Sequence, residues 1–305
     1  MKSTLLTASL LLTAWGTHAQ TAPNTSEYAE PAFRSPVVAV EFTGQRCRYC
    51  PNMSRALKSQ EEKYGKENYI ITALHNLEGF SILPSPHVSL FHPEAKEYAA
   101  SIKVHSGLPQ LVYNTLGPTV SDNTLEEKFK EDDLLECTGK VMYNENKEYV
   151  IDLQTRLRRN QIEVVKDKKI DILFWAMEND IVALQDDNGK WTYPAHQHIF
   201  RGSINTTWGE SYEIGTAYQK TFKIPEAVSN PENTEIVVFF FDHDTRTVLD
   251  AARFAVTKQD ITGISNSVSD NANKNTYLYD LNGRAVNQPK KGEIYIQNGK
   301  KFIKN

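Results

Sequence analysis

Two rhythms of apolar and polar positions divide the chain. From Pro36 to Phe42 the run Val-Val-Ala-Val-Glu-Phe is almost continuously apolar, the pattern of a strand buried on both faces. Thr43 to Arg46 reads as a turn, and from Cys47 to about Tyr64 the spacing becomes helical, with Met53, Leu57 and the charged Glu61-Glu62-Lys63. Asn68 to Leu74 predicts a second buried strand. A loop broken by Gly79, Pro84 and Pro86 follows, then a short helix over Pro93 to Ile102 that opens on a proline. Leu108 to Tyr113 predicts a third strand, and Asp122 to about Tyr143 a long amphipathic helix with an acidic first turn. Strands alternating with helices define an α/β unit with a parallel component.

Past Lys147 the helical spacing disappears. Strand patterns cover Tyr149–Leu157, Gln161–Lys166, Ile170–Met177, Ile181–Gln185, Trp191–Phe200, Ser211–Phe222, Glu235–Phe241 and Thr247–Val256. Asp186-Asp187-Asn188-Gly189 and Asp242-His243-Asp244 supply turn chemistry between them, so an antiparallel sandwich is expected. Ile261 to Thr276 is dense in Ser, Asn and Asp and reads as a linker. Strand character returns from Tyr277, where Asn282-Gly283 and Asn298-Gly299 suit tight hairpins. The expected segments are a leader over 1–19, a lead-in over 20–35, an α/β domain over 36–145 and a β-sandwich over 146–258. A linker over 259–276 and a small β module over 277–305 complete them.

Composition narrows the function classes. Of 305 residues, 40% are hydrophobic and 24% charged, as in ordinary globular proteins. The formal net charge is −4 and no basic stripe stands out, which argues against a nucleic-acid partner. Lys2, the apolar Leu5 to Trp15 and the small residues around Ala19 form a secretory leader, too short to span a membrane. Cleavage after Ala19 is expected, with no cysteine there to take a lipid. In an oxidising compartment the three cysteines read as one close pair, Cys47 and Cys50, plus the single Cys137.

The close pair sits where a buried strand gives way to a helix. A thiol at a helix N-terminus faces unsatisfied N–H groups and the positive end of the dipole, which favours its thiolate. Arg46 and Arg48 add positive charge on either side. Glu41 lies six residues before Cys47, and Pro109 in Gly107-Leu108-Pro109 opens the third strand. Residues 36 to 143 thereby resemble a thioredoxin-type domain. The resemblance implies that Glu41 exchanges a proton with the second thiol and that Pro109 is the cis-proline beside the dithiol. Arg46 stands where thioredoxins carry Trp, and the insert containing His75, Pro84, Pro86, His87 and His92 is irregular.

Glu41-Phe-Thr-Gly-Gln-Arg-Cys-Arg-Tyr-Cys-Pro51 also resembles the start of the outer-membrane-protein-twenty-eight family of Bacteroidota. Ile170 to Trp175, His196-Gln-His198-Ile-Phe-Arg201-Gly202 and Trp208-Gly209-Glu210 agree with its second half. The family implies an α/β thioredoxin-like domain followed by an all-β antiparallel sandwich, in an envelope or surface protein. Asp280-Leu-Asn-Gly283-Arg284, Gly292, Tyr295 and Asn298-Gly-Lys300-Lys301 are similar to type IX secretion sorting domains, which implies contact between residues 277–305 and secretion machinery.

Other constellations point to structure. His196 and His198, two apart on a predicted strand, could hold a metal if Glu210 joined them, but no third ligand is assigned by spacing and packing or hydrogen bonding is the expected role. Asp186 to Gly189 lacks the ligand spacing of a calcium loop. Cys137 is expected buried on the long helix, and Trp175, Trp191 and Trp208 in the sandwich core. Two readings follow. The first is an exported cell-surface or outer-membrane-associated binding or structural protein on a thioredoxin-like scaffold. The alternative is an envelope thiol–disulfide oxidoreductase, in the periplasm or beyond, with Cys47 as nucleophile, Cys50 resolving, Glu41 relaying a proton and Pro109 shaping the groove. Neither requires a cofactor, and the partner is an unidentified envelope or extracellular protein or ligand.

Overall fold

The computed structural model describes residues 35–104, 107–118, 124–129, 131, 133–158 and 161–259, with 278–279, 285–286, 290–291, 294–297 and 300–303 in the tail. The leader expected over 1–19 lies outside these residues, as do the expected lead-in up to residue 34 and the expected linker from residue 260. In chain order the first elements are β1 (Val37–Thr43), α1 (Cys50–Tyr64), β2 (Tyr69–His75), α2 (Glu78–Ser81), α3 (Pro93–Ile102) and β3 (Gln110–Tyr113). Next come α4 (Leu125–Lys128), β4 (Leu135–Tyr143), β5 (Glu148–Leu157), α5 (Ile162–Val165), β6 (Ile170–Glu178), β7 (Ile181–Val182) and β8 (Gln185–Asp187). The main unit ends with β9 (Lys190–Thr192), β10 (Ala195–His196), β11 (Ile199–Ser203), β12 (Glu210–Ser211), β13 (Tyr218–Lys223), β14 (Thr234–Asp242) and β15 (Val248–Lys258). The tail holds β16 (Leu278–Tyr279), β17 (Ala285–Val286), β18 (Ile294–Gln297) and β19 (Lys300–Ile303), paired in the order β17-β16-β18-β19.

The described residues through Thr257 form one compact unit and those from Lys258 onward a second. The main unit is mostly β and is organised by a large mixed sheet. Its order is β13-β5-β4-β15-β14-β6-β11-β2-β1-β3, with β12 pairing β6 as the eleventh strand. β1 and β2 are parallel in register Val37↔Tyr69 through Thr43↔His75, and β3 runs antiparallel to β1. The seam with the β-rich half is the parallel pair Ile199↔Ala73 between β11 and β2. Both stretches read separately in the sequence therefore share one sheet, and residue 146 falls in the hairpin between β4 and β5.

β6 is buried at every position and β14 at every position but Glu235, which is why both read as nearly continuous apolar runs. Side chains alternate between faces, so each strand serves two cores. Leu173, Trp175 and Met177 of β6 pack with Val40, Phe42 and α3. Ile172, Phe174 and Ala176 pack instead with Val141, Ile151 and Leu153 from the β4–β5 ladder. Burying each large apolar side chain contributes about 1.5–3 kcal/mol, so these two strands anchor the unit. A third cluster sets Leu57 of α1 against Val37, Ala39, Tyr69 and Ile71, on the β1–β2 face opposite α3.

Several expectations are corrected. The helix predicted over Asp122–Tyr143 is the single turn α4 followed by strand β4, and Cys137 lies on that strand, half-buried. Leu135 to Tyr143 pair residue by residue with β5, and Gly139 at their centre disfavours a helix by about 1 kcal/mol. The strand predicted over Gln161–Lys166 is the short helix α5: its β-branched residues suggested a ladder, but no sheet edge meets them. Trp191–Phe200 breaks into β9, β10 and β11, because Pro194 cannot donate to a ladder and His198 takes φ 55°. Ser211–Phe222 likewise divides into β12 and β13. Trp175 is fully buried and Trp208 is packed at the edge of its core, but Trp191 is 51% exposed. Among the described residues no helix is long and apolar enough to cross a membrane.

Candidate functional site around the Cys47–Cys50 disulfide

Cys47 and Cys50 are joined in a disulfide at the junction of β1 and α1. Tyr49 occupies the N-cap without a side-chain cap bond, and Pro51 falls in the first turn, where a missing N–H costs nothing. The helix stops at Gly65, whose N–H donates to the Glu61 carbonyl at 2.8 Å. Gly44 is required by close approach: a Cβ there would lie 2.8 Å from Phe80 Cβ and 3.1 Å from Leu108 Cδ1. Leu108, which precedes Pro109 across a cis peptide bond, therefore packs near the start of the dithiol loop. Cys47 is 4% exposed and Cys50 1%, whereas Arg46, Arg48 and Tyr49 are exposed.

Glu41 sits under α1 on the same face of β1 as Thr43. It is buried, and that burial pushes its carboxyl up to about 7. Ser54 and Thr43 oppose the shift: the Ser54 hydroxyl lies 3.2 and 3.3 Å from the two carboxylate oxygens and 3.3 Å from the Cys50 carbonyl. A carboxyl poised near neutrality can hold or release a proton at little cost in the range where thiols exchange. Glu41 and Cys50 line one cleft of about 690 Å³, bounded by α1 on one side and residues 179–199 on the other. Its remaining polar lining includes Thr43, His75, His196 and His198. Burial lowers the His75 and His196 imidazoles, so both are neutral bases there.

His196 and His198 are brought near the cleft, but not as a metal pair on one strand. The His196 Nε2 is 3.3 Å from the Ala183 carbonyl. His198 sits between Glu61 at 3.9 Å and Glu235 at 3.4 Å, and the Arg253 guanidinium reaches Glu61 at 2.9 Å. Burial alone would raise Glu235, but His198 and Arg253 hold it at about 2. Glu210 is engaged elsewhere, with Lys220 and Tyr218. Among the described residues no group of three His, Cys, Asp or Glu side chains is placed to hold a metal. Cys137 is remote in role as well as in sequence: burial, with Asp250 adding to it, raises its thiol to about 12.

Sequence reasoning found the turn between β8 and β9 but not what this hairpin touches. Its Gln185 amide lies 3.2 Å from both the Gly44 and Cys47 carbonyls, the Asp186 N–H donates to Gln45 at 2.8 Å, and the Asn188 N–H donates to Arg48 at 3.0 Å. Asp187 forms a two-pronged pair with Arg55 of α1, both contacts at 3.1 Å. The signal available was the turn Asp186 to Gly189, where Asn188 and Gly189 take the positive φ values of 55° and 89°. It announced a hairpin and not its target.

Fold and site together define a protein with a strand–disulfide–helix unit built into a mixed, mostly β sheet. HBP35 of Porphyromonas gingivalis has a similar structure, with a TM-score of 0.55 and 13% identity over 90% of this chain and 98% of that one. At that identity the likeness is one of fold. A domain of the outer membrane lipoprotein Omp28 from Porphyromonas gingivalis matches over 42% of this chain and 92% of its own length, at 18% identity and a TM-score of 0.31, too distant to bear on the fold. No family model matches the chain, and neither does any curated protein.

Proposed function

We propose that this chain is an exported protein of the cell envelope, built on a thioredoxin-like scaffold, whose Cys47–Cys50 pair undergoes thiol–disulfide exchange. The observation that carries the reading is Glu41, a buried carboxyl poised at about 7 that shares Ser54 with Cys50. A client thiolate attacks Cys47 Sγ and the Cys47–Cys50 bond breaks, with the electron pair leaving on Cys50 Sγ. Cys50 takes a proton from Glu41. A second client thiolate then attacks the client sulfur of the mixed disulfide and releases Cys47 as a thiolate. The client dithiol is oxidised to a disulfide and the Cys47–Cys50 pair is reduced. In the reverse direction Glu41 receives the Cys50 proton. Export is supported by the leader-like residues 1–19, and the sorting-like tail supports delivery beyond the inner membrane.

The second reading is a surface binding or structural protein in which the disulfide is a staple. It is favoured by the near-complete burial of both cysteines and by the hairpin bonds to their loop. Trapping separates the two. Cys50→Ser should accumulate a mixed disulfide with a client in the envelope, Cys47→Ser should trap nothing, and Cys137→Ser should behave as the parent. An empty trap, with a reduced Cys47 thiol near the ordinary value of about 8.5, establishes the staple.

A further inference from the structure

The hairpin that braces the dithiol loop carries two aromatic side chains that the fold leaves uncovered. Trp191 is 51% exposed and Tyr193, just beyond β9, is 60% exposed. Trp191 is the cross-strand partner of Asp186, whose N–H is bonded to Gln45 in the dithiol loop. Tyr193 is propped from the other side, its hydroxyl 3.1 Å from His87 Nδ1. On the loop itself Tyr49 is 60% exposed, and Phe80, whose carbonyl accepts from Arg46 N–H at 2.8 Å, is 39% exposed. Rings of this size are left in water at a cost, and aromatic side chains held rigidly around a reactive group are the usual anchors of an interface. Arg46 and Arg48 stand among them, exposed and in no ion pair among the described residues, whereas Arg55, the next cation along, is paired with Asp187. The surface around the disulfide is thus aromatic and positive.

We propose that Trp191 and Tyr193, carried by the β8–β9 hairpin, seat the client: an extended polypeptide segment with apolar side chains next to its cysteines and acidic residues flanking them. The apolar side chains lie on the two rings, and the carboxylates face Arg46 and Arg48. The hairpin is bonded to the carbonyls of Gly44, Gln45, Cys47 and Arg48, so it fixes the seat relative to the sulfur. A small dithiol lacks the groups the seat grips and reaches Cys47 without it. The seat rests on the exchange reading for its purpose but not for its physical existence, because binding can be read without exchange.

The test uses the full chain, the double variant Trp191→Ser with Tyr193→Ser, and two synthetic peptides. One peptide carries a Cys-x-x-Cys pair set among Leu and Phe and flanked by Glu, and the other has serine at both cysteines. Both aromatic side chains are exposed, so the double variant should fold with the parent's melting temperature, and dithiothreitol reduces its disulfide at the parent rate. Exchange with the cysteine peptide should fall at least tenfold, and the serine peptide should bind the parent at least tenfold more tightly than the variant. Lysine in place of the peptide's glutamates should weaken parent binding further as salt is lowered, the opposite of the acidic peptide. Equal peptide rates in parent and variant overturn the seat. So does a loss that dithiothreitol shares. A parent that binds the serine peptide through Trp191 but exchanges with no dithiol keeps the seat and removes the chemistry; exchange that ignores Trp191 keeps the chemistry and removes the seat.

Discussion

Glu41 is a buried carboxyl and Glu235 a partly buried one, and folding moves their protons in opposite directions. Glu41 rises from 4.5 to about 7, so the folded chain holds its proton more tightly than the unfolded one. Its contribution to stability is complete below about 4.5 and is lost as pH climbs through 7, a change of up to about 3 kcal/mol. Glu235 falls from 4.5 to about 2, so its contribution is present above 4.5 and is lost as pH drops through 2. Urea unfolding at pH 5 and pH 8 should therefore show the parent weakening towards pH 8 relative to Glu41→Gln, by no more than that amount. Asp250, also raised by burial, acts in the same direction, so the difference between the two proteins is the readable quantity. Parallel slopes would show that Glu41 is solvated and not poised. In exchange, Glu41→Gln should slow release of the mixed disulfide at neutral pH and leave its formation intact, which quenched-flow trapping resolves. Spacing pointed to Cys47 and Cys50, and the resemblance to thioredoxins added Glu41 and Pro109, because the motif is written into one strand–turn–helix segment and one proline. Ser54 and Gln185 were not legible: a hydroxyl on a helix and an amide roughly 140 positions away leave no trace in a local pattern.

At the level of elements, periodicity found the strands that bury both faces and failed where pairing overrides propensity. β1, β2, β6 and β14 were readable because a strand with two buried faces has no polar alternation to mask it. β4 was read as helix because Leu134, Cys137 and Val141 recur at three and four residues, a spacing that a strand edge with mixed burial also produces. Gly139 shows which reading holds. It pairs with Leu153 at φ 145°, and a Cβ there would lie 2.1 Å from the Asp152 carbonyl oxygen. Gly139→Ala should cost about 3 kcal/mol or more through backbone displacement, lowering the melting temperature by about 10 °C. In a helix the same change would raise it by about 1 kcal/mol in stability. Calorimetry therefore distinguishes the two by sign.

Across the whole molecule, the shared sheet sets what can be removed. Val38, Val40, Phe42, Ile70 and Leu74 are buried against residues of β6, β11 and β14 as well as α3, so a fragment ending at residue 145 would lose much of the cover over that face. It should be recovered unfolded or insoluble. Residues 35–259 should unfold in a single transition, by circular dichroism and by fluorescence alike. Deleting residues 277–305 should leave that transition in place, since the tail belongs to a separate compact unit, and should change only where the protein is delivered. A sharp loss of melting temperature with unchanged location would make the tail structural. β6 also behaves as a ruler. From Ile172 to Met177 its odd-numbered side chains belong to one core and its even-numbered ones to the other, and these six consecutive apolar positions leave no polar gap to absorb an error. One residue inserted at its start would hand Trp175 to the β4–β5 side and Phe174 to the helix side, exchanging the contents of both cores in one step. Drift along this strand is thus confined to substitutions, and the reading frame of the alternation is the quantity that descendants of this chain must inherit unchanged.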